Sequence, residues 1–271
     1  MNNFGIVIPV FNNIKYTKIV VKSLQETTNF DITNDLIIIN NGSRDGTIEY
    51  IDSLGCLKIH NPDNFGVATA WNQGVKQFLD RKYIAILNND IVLSNKWLDN
   101  IINFMDNNPK FINCSPAERA GINTRGNKTA PDTINTDVIN VISEEEMLGS
   151  NGEAFKTHSE EYITKYGNLI TPGHHGSCWV FNSEVFSKVG LFDEQFKIGF
   201  HEDTDFCWRM EEIYGKDYHR IVHASVYYHF CEKTISKWNQ YWRGIDGNLY
   251  IINEPLTKNK KLLDEKWKGK R

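Results

Sequence analysis

Short apolar runs alternate with amphipathic helical patterns along the amino-terminal part of the chain. The runs cover residues 4–10, 36–39, 57–60 and 83–90, and each is followed by apolar residues at helical spacing. Such alternation predicts a parallel β-sheet with crossover helices packed on its faces. Because these crossovers are right-handed, every strand-to-helix loop should lie at the same edge of the sheet. The expected fold class is therefore α/β.

The fourth run indicates where a ligand should bind. It is wholly apolar from Tyr83 to Leu87, which is typical of a strand buried on both faces, and it then ends in Asn88, Asn89 and Asp90. Open α/β folds bind their ligands at the carboxyl ends of the strands. We therefore expect a site at Asp90, where the loops after the earlier strands should converge.

The bulk composition is that of an ordinary globular protein. The 271 residues suffice for one large domain with or without an appendage, and a net charge of −4 with a pI near 6.1 argues against a nucleic-acid binder. The five cysteines are scattered without a C-x-x-C pair, which predicts free thiols in a reducing compartment. We find no signal-peptide pattern and no apolar run near the roughly 18 residues of a membrane span. The expectation is a cytoplasmic protein.

The second part of the chain is less regular. Residues 117–168 are polar and punctuated by glycine, and we interpret them as a long excursion or flap. Order resumes at residues 171–181, continues through a short helix at 185–189 and an acidic segment at 199–210, and reaches a strand at 224–228. His229 follows that strand, and the remainder is an aromatic, basic tail.

Seven motifs occur in a definite order along residues 4–230. They are Ile-Pro-Val-Phe-Asn at 8–12, Asn-Asn-Gly-Ser at 40–43 with Asp-Gly-Thr at 45–47, Asn-Phe-Gly at 64–66 with Asn72 and Gly74, Leu-Asn-Asn-Asp at 87–90, Gly-Leu-Phe-Asp-Glu at 190–194, Glu-Asp-Thr-Asp at 202–205 with Arg209, and His229. Each motif alone is weak. Together and in this order, they resemble a family 2 glycosyltransferase with the GT-A fold.

The resemblance implies an architecture. A GT-A fold has a mostly parallel, Rossmann-like central sheet flanked by helices, here with an acceptor-side half and a helical carboxyl-terminal tail. The implied glycosyltransferase domain covers residues 1–230, with a nucleotide-binding half at 1–115 and an acceptor-binding half at 116–230. Residues 231–271 are then the tail.

The resemblance also implies a site for a nucleotide-sugar donor. A divalent cation, Mn²⁺ or Mg²⁺, would neutralise the diphosphate leaving group, with Asp90 and His229 as its ligands. The chain departs from the family pattern at Asn40 and Asn88, where aspartates are usual; Asn40 is equally well interpreted as the residue that leads into the next helix. The residues expected to bind the nucleotide-sugar are Pro9, Phe11, Asn12, Asn40, Asn64, Gly66, Asn72, Asn88, Asn89, Asp90 and His175.

The acidic motif at 202–205 implies the catalytic groups. Transfer with inversion needs a base for the acceptor hydroxyl, and Asp203 matches that base. Glu202 beside it is expected to raise the pKa of Asp203 or to help hold the acceptor. The alternative is that acidic residues merely begin a helix. For Asp205 we expect a structural role, paired with Arg209 one helical turn later.

The function implied is a hexosyltransferase-type glycosyltransferase that uses a UDP- or dTDP-sugar and transfers its sugar with inversion to a saccharide or lipid-linked glycan in bacterial surface polysaccharide or glycoconjugate synthesis. The alternative is a non-catalytic nucleotide-sugar or glycan-binding module on a decayed GT-A fold, which Asn40 and Asn88 would favour. A sugar-phosphate nucleotidyltransferase should show a basic, glycine-rich loop after the first strand, and a dinucleotide enzyme a G-x-G-x-x-G motif; neither pattern is present.

The tail allows two interpretations. Its lysines and aromatic residues are typical of a segment that lies on an anionic membrane, which would place the protein peripherally on the inner face of the cell membrane near lipid-linked acceptors. The same composition is typical of solvated helices that cover the core. No nucleic-acid partner is expected.

Overall fold

Four parallel strands form the first half of the central sheet in this computed structural model, which describes residues 2–120, 153–230, 242–243, 249–250 and 253–271. They are β1 (Phe4–Val10), β2 (Leu36–Asn41), β3 (Leu57–Asn61) and β4 (Tyr83–Leu87), in the order β3-β2-β1-β4. Their connections contain α1 (Ile14–Thr27), α2 (Ile32–Asp35), α3 (Thr47–Ser53) and α4 (Val67–Val75). The predicted parallel sheet with crossover helices is thus confirmed.

The second half extends the same sheet with mixed pairing. Its elements are β5 (Ile91–Leu93), α5 (Trp97–Asn107), β6 (Asn113–Ala120), α6 (Glu153–Tyr166), β7 (Ile170–Thr171), β8 (Cys178–Asn182), α7 (Glu184–Lys188), α8 (Glu202–Tyr214) and β9 (His219–His229). Strand β8 is antiparallel to β4, and the order continues β8-β6-β9-β5, with β7 beside β9. Strands β6 and β9 are parallel to each other, whereas β5 is antiparallel to β9.

The apolar run that begins at Tyr83 does not form one strand as far as Asp90. Strand β4 ends at Leu87, and Ile91 starts the separate strand β5, which pairs with β9 at the other end of the sheet. The prediction was wrong on this boundary because a strand buried on both faces is not continued through three consecutive polar residues. The polar triplet is therefore a corner between two distant parts of one sheet.

The predicted excursion at 117–168 is also partly wrong. Strand β6 runs to Ala120, and α6 already begins at Glu153, so only residues 121–152 of the excursion lie outside the described part. The buried face of α6 carries Phe155 and Tyr162 but also His158 and Ser159. These polar residues on the buried face interrupt the apolar spacing from which a helix is predicted.

The core lies in two layers, one on each face of the sheet. Successive strand residues point to opposite faces, so Ile6 and Ile8 of β1 pack with α1 and α5, while Val7 packs with α4 and α8. The cysteines at 56, 114, 178 and 207 are buried free thiols, as predicted for that described set.

The described part of the tail contains the short strands β10 (Trp242–Arg243) and β11 (Leu249–Tyr250), and a helix, α9 (Asn253–Lys266). Leu263 and Trp267 are buried against Phe196, with Trp208 beside them. The tail thus contains a helix, as predicted, together with two short strands that were not predicted, and α9 covers the core next to α8. Among the described residues, no helix is long and apolar enough to cross a membrane.

Candidate active site

The corner after β4 brings Asp90 next to His229. Because Ile91 of β5 is the register partner of His229 in β9, the residue before Ile91 lies beside that histidine. Asp90 Oδ1 is 3.3 Å from His229 Nε2, and both side chains are largely buried. The backbone strengthens the corner, since the amide of Phe230 donates to the carbonyl of Asp90 at 3.0 Å. The two residues predicted as metal ligands are thus neighbours.

Glu118 is a residue of this cluster that the sequence analysis missed. Its Oε1 accepts from His229 Nδ1 at 2.7 Å, and its Oε2 lies 3.1 Å from His175 Nδ1. Glu118 pairs with Tyr227 in the parallel register of β6 and β9, and Tyr227 and His229 share one face of β9. The available sequence signal was an acid between Ala117 and Arg119, but β6 itself was not recognised.

Electrostatics agree with this bridging role. Burial works to raise the pKa of Glu118, but the hydrogen bonds from His175 and His229 outweigh it and hold the pKa well below its usual range. Glu118 is therefore a buried carboxylate that presents one oxygen to each imidazole.

The donor set fits a divalent cation. When Nδ1–H of His229 donates to Glu118, the lone pair of Nε2 faces the carboxylate of Asp90. His229 Nε2 and Asp90 Oδ1 are then two acceptor atoms 3.3 Å apart. A carboxylate that orients a metal-binding histidine through its other nitrogen is a recurring arrangement in metal sites. Within the described residues, no group of three or more His, Cys, Asp or Glu side chains could hold a metal by itself. The protein would thus supply two ligands, and other oxygens would have to complete the shell.

Asn12 and Asn40 organise the loop after β2. Asn12 has a left-handed backbone (φ 55°); its amide N–H donates to Ser43 Oγ at 2.7 Å and its Oδ1 accepts from the Arg44 amide at 2.8 Å. Asn40 is fully buried: its Oδ1 accepts from the Ser43 amide at 3.0 Å, and its Nδ2 lies 3.2 Å from His60 Nδ1. Both asparagines therefore hold backbone in place, and their contact with a nucleotide stays a prediction.

Asn64 and Gly66 belong to a second buried amide cluster, centred on Asn41, which the sequence analysis quoted only as part of a motif. Asn41 Nδ2 donates to Asn64 Oδ1 at 2.7 Å, and Asn41 Oδ1 accepts from the amide of Phe65 at 3.0 Å. Gly66 has φ +90°, and a Cβ there would lie 2.7 Å from the backbone nitrogen of Ile198. Only glycine fits this close approach between the two halves of the fold.

The other residues predicted to bind the nucleotide-sugar lie around the same edge of the sheet. Pro9 lies in β1 opposite Ile39, and Phe11 follows that strand, half-buried. The Asn88 amide donates to Ser177 O at 2.8 Å, and Asn89 Nδ2 donates to Thr17 Oγ1 at 3.2 Å.

Asn72 joins the two halves of the fold and is not part of the corner after β4. Its Nδ2 donates to Phe192 O at 2.9 Å and to Glu194 Oε1 at 2.8 Å, and its Oδ1 accepts from the Phe192 amide at 3.0 Å. It thereby fixes the loop at 190–194 against α4.

Glu202 and Asp203 begin α8. Asp203 Oδ1 accepts from the amide of Thr204 at 2.6 Å, and its Oδ2 would lie 3.4 Å from a Cβ built on Gly176. The carboxylate of Asp203 therefore lies against the loop that carries His175, and His175 in turn contacts Glu118. The predicted base thus lies near the loop that reaches the cluster of Glu118, His229 and Asp90.

The side chain of Glu202 is buried at the start of α8. Burial, and next the charge of Asp203, raise the pKa of Glu202 well above its ordinary value, and Glu202 Oε2 has no hydrogen-bond partner among the described residues. Asp205 pairs with Arg209, whose Nε donates to Oδ2 at 2.9 Å, as predicted. Both carboxyl groups are buried, but Asp205 is paired with the cation of Arg209, whereas no ion pair to Glu202 is found within the described part of the chain.

The sequence and the fold are similar to those of known proteins. The sequence model of glycosyl transferase family 2 matches residues 5–190, most of the chain. The chain belongs to this family. It is 24% identical over 243 residues to an uncharacterized glycosyltransferase of Rickettsia prowazekii, spanning 87% of this chain and 67% of that protein, and 24% identical over 240 residues to one of Rickettsia typhi, with the same shares.

Solved structures show that this glycosyltransferase has the GT-A fold. GalNAc-T7 with UDP, GalNAc and Mn²⁺ superposes with a TM-score of 0.63 at 14% identity, over 97% of this chain and 47% of that chain. Staphylococcus aureus TarS 1–349 in complex with UDP superposes with a TM-score of 0.55 at 17% identity, over 84% of this chain and 60% of that chain. The mannosyltransferase PcManGT of Pyrobaculum calidifontis with GDP-Man and Mn²⁺ superposes with a TM-score of 0.53 at 13% identity, over 85% of this chain and 57% of that chain. The chain thus spans about half of GalNAc-T7.

These findings confirm the predicted family, fold and enzyme class for this glycosyltransferase. Asp90 lies beside His229, and Asp203 lies against the loop of His175, so these predicted site residues are near one another although Asn40 and Asn88 depart from the family pattern.

Proposed function

We propose that this glycosyltransferase transfers a sugar from a UDP- or dTDP-sugar to a saccharide acceptor, with inversion at the anomeric carbon. The observation that carries the proposal is the juxtaposition of Asp90 and His229, 3.3 Å apart and held by Glu118 at the strand corner. The TarS and GalNAc-T7 structures contain UDP, which supports a uracil nucleotide over the GDP of PcManGT.

Asp90 and His229 would hold the divalent cation, and the mixed carboxylate and imidazole set favours Mn²⁺ over Mg²⁺. When bound, the cation neutralises charge that develops on the diphosphate leaving group. Glu118 keeps the imidazole of His229 in one tautomer and orientation. The Mn²⁺ in the GalNAc-T7 and PcManGT structures supports this choice of metal.

Asp203 takes the proton of the acceptor hydroxyl as that oxygen attacks the anomeric carbon from the face opposite the leaving nucleotide. Burial raises the pKa of Glu202, and this favours its neutral form beside Asp203. His175, with Nδ1 fixed by Glu118 and Nε2 without a partner in the described part, is available to the sugar or phosphate of the donor. Asn12, Asn40, Asn64 and Gly66 shape the loops that receive the nucleotide.

The acceptor proposed from the family resemblance is a saccharide or lipid-linked glycan of bacterial surface polysaccharide synthesis. A contact of α9 with the inner face of the membrane has less support than the role of α9 in covering the core. Lys260 and Lys261 pair with acids one turn later on the same helix, and Lys270 and Arg271 pair with Glu212 and Glu211 of α8. These cations are largely compensated within the protein.

A thermal-shift panel of UDP, GDP, dTDP and CDP, each with and without Mn²⁺, tests the donor site. We expect one nucleotide, UDP or dTDP, to raise the melting temperature only with the metal. Asp90→Ala should abolish this shift, whereas Asp99→Ala, which removes an exposed acid on α5, should leave it intact. Stabilisation that is equal without metal would overturn the cation site, and no stabilisation by any nucleotide would overturn the proposed function.

A further inference from the structure

We use the name catalytic turn for the first turn of α8, which carries Glu202 and Asp203. The loop that leads into this turn has an unusual backbone. Ile198, Phe200 and His201 all have left-handed φ angles, of 75°, 77° and 71°. Such angles are sterically unfavourable for any residue with a Cβ, and for β-branched Ile198 they are rare. His201 is the residue immediately before α8 and therefore directly precedes Glu202. A backbone like this persists only where surrounding contacts hold it.

One of these contacts comes from the tail. Asn259 of α9 is buried, and its Nδ2 donates to the carbonyls of Lys197 at 2.9 Å and Gly199 at 2.8 Å, with Phe200 O at 3.3 Å. A side-chain amide carries two N–H groups and can therefore bind both principal carbonyls at once. Asn259 thus spans the strained loop from the side of α9.

The opposite side of the loop is held by the donor half. The amide of Val67, the first residue of α4, donates to Ile198 O at 2.9 Å, and Gly66 lies in close contact with the Ile198 backbone. Consecutive carbonyls at 197, 198 and 199 are therefore bound alternately from α9 and α4. The loop is a strained segment clamped between the tail and the nucleotide-binding half.

The end of α9 holds the first turn of α8 directly. Trp267 Nε1 donates to Asp205 Oδ1 at 2.9 Å, and Lys266 Nζ lies 2.9 Å from the same oxygen. Asp205 is fully buried and is two residues from Asp203. Helix α9 and the residue that follows it thus contact the chain on both sides of the pair Glu202 and Asp203. The contacts before the pair are at residues 197–200, and the contact after it is at Asp205.

We propose that α9 is a positioning element for the catalytic turn, with Asn259 as its central residue. This proposal rests on the proposed role of Asp203 as base. Asn259 acts by fixing the backbone of residues 197–201, so that the carboxylate of Asp203 is held against the loop of His175. A small displacement of a catalytic group is enough to lower turnover strongly. Asp90 and His229 lie elsewhere, at the corner after β4 and at the end of β9, so we expect donor binding there to persist.

The test compares Asn259→Ala and Asn259→Asp with the control Lys261→Ala, which changes an exposed lysine of the same helix. Asn259→Asp keeps the shape but replaces the donor by an oxygen that repels the carbonyls. Three quantities are measured: amide hydrogen exchange at Gly199 and Asp205, the Kd of UDP with Mn²⁺, and kcat for hydrolysis of UDP-glucose, UDP-galactose and their N-acetylamino forms.

We expect both Asn259 variants to increase exchange at these amides and to lower kcat by at least roughly tenfold, with the Kd of UDP within about twofold of the wild-type value. Lys261→Ala should change none of the three. Unchanged exchange or unchanged kcat in both variants would overturn the proposal, as would parallel losses of UDP binding and turnover, which indicate general loss of structure.

Two further variants distinguish failure of the Asn259 proposal from misfolding and from failure of the assignment of Asp203 as base. If Asn259→Ala does not fold, Trp267→Phe, which removes one of the groups that donate to Asp205 but keeps an aromatic ring, must show the same loss of kcat with retained UDP binding. If Asp203→Asn turns over at the wild-type rate, the assignment of the base fails. The exchange measurement still decides whether Asn259 holds the loop, because it needs no catalysis.

Discussion

Glu118 Oε1 lies 2.7 Å from Nδ1 of His229, while its other oxygen lies 3.1 Å from Nδ1 of His175. A glutamine at position 118 has one oxygen and can therefore accept a hydrogen bond from only one of the two imidazoles. We expect Glu118→Gln to weaken Mn²⁺-dependent binding of UDP by about 10–100-fold, the usual effect of losing such an orienting carboxylate. Isothermal titration of UDP with and without Mn²⁺ measures this change.

The control for that experiment is Glu153→Gln, which neutralises an exposed acid at the start of α6. It should leave the affinity for UDP with Mn²⁺ unchanged. Equal affinity of wild-type protein and Glu118→Gln would show that His229 does not need Glu118 to bind the cation.

Asp203→Asn should separate turnover from donor binding. The amide keeps the size of the side chain but cannot accept the proton of the acceptor, so we expect turnover to fall by about 10²–10⁴-fold. The Kd of UDP with Mn²⁺ should stay the same, because Asp203 does not contact Asp90 or His229 in the described network. Steady-state kinetics and titration test this, with Glu212→Gln on the exposed face of α8 as control. Turnover retained in Asp203→Asn would refute its role as base.

Glu202 should make stability depend on pH. Burial raises its pKa in the folded protein, so above about pH 4.5, its ordinary value, the unfolded chain loses this proton while the folded chain keeps it. The folded state then binds more protons, and the free energy of unfolding falls as pH rises. Glu202→Gln removes this dependence. We expect the variant to melt at a higher temperature than wild-type protein near about pH 8, with the difference shrinking toward pH 4.5. A constant difference across that range would argue against a raised pKa.

Gly66→Ala should be destabilising for two reasons. The residue has φ +90°, and the added Cβ would lie 2.7 Å from the backbone nitrogen of Ile198. Gly55→Ala is a matched control, because Gly55 has φ +72° but no atom within 4 Å of its Cβ position. We expect Gly66→Ala to lower the free energy of unfolding by about 1–3 kcal/mol more than Gly55→Ala does, the usual range for overpacking. Urea denaturation of both variants measures the difference, and equal losses would show that the loop yields freely.

Much of the amino-terminal half is predictable from local sequence. Strands β1, β2 and β4 are buried on both faces, so each is an unbroken apolar run, and amphipathic helices separate them. The pairing of Asp205 with Arg209 was predictable for the same reason, since residues four apart on a helix are neighbours. The motifs that carry the family resemblance also lie in short stretches that can be recognised singly.

The sequence by itself therefore determined the α/β class, the family and the location of Asp90 in the polar segment that follows a buried strand. The tertiary structure decided how distant residues meet. Glu118 reaches His229 because β6 and β9 pair in parallel across more than 100 residues, and Asn259 reaches Gly199 across 60. Neither contact leaves a periodic signal, because a single buried polar residue is placed by the register of its strand or the packing of its helix. Those are properties of the assembled sheet and not of the neighbouring residues.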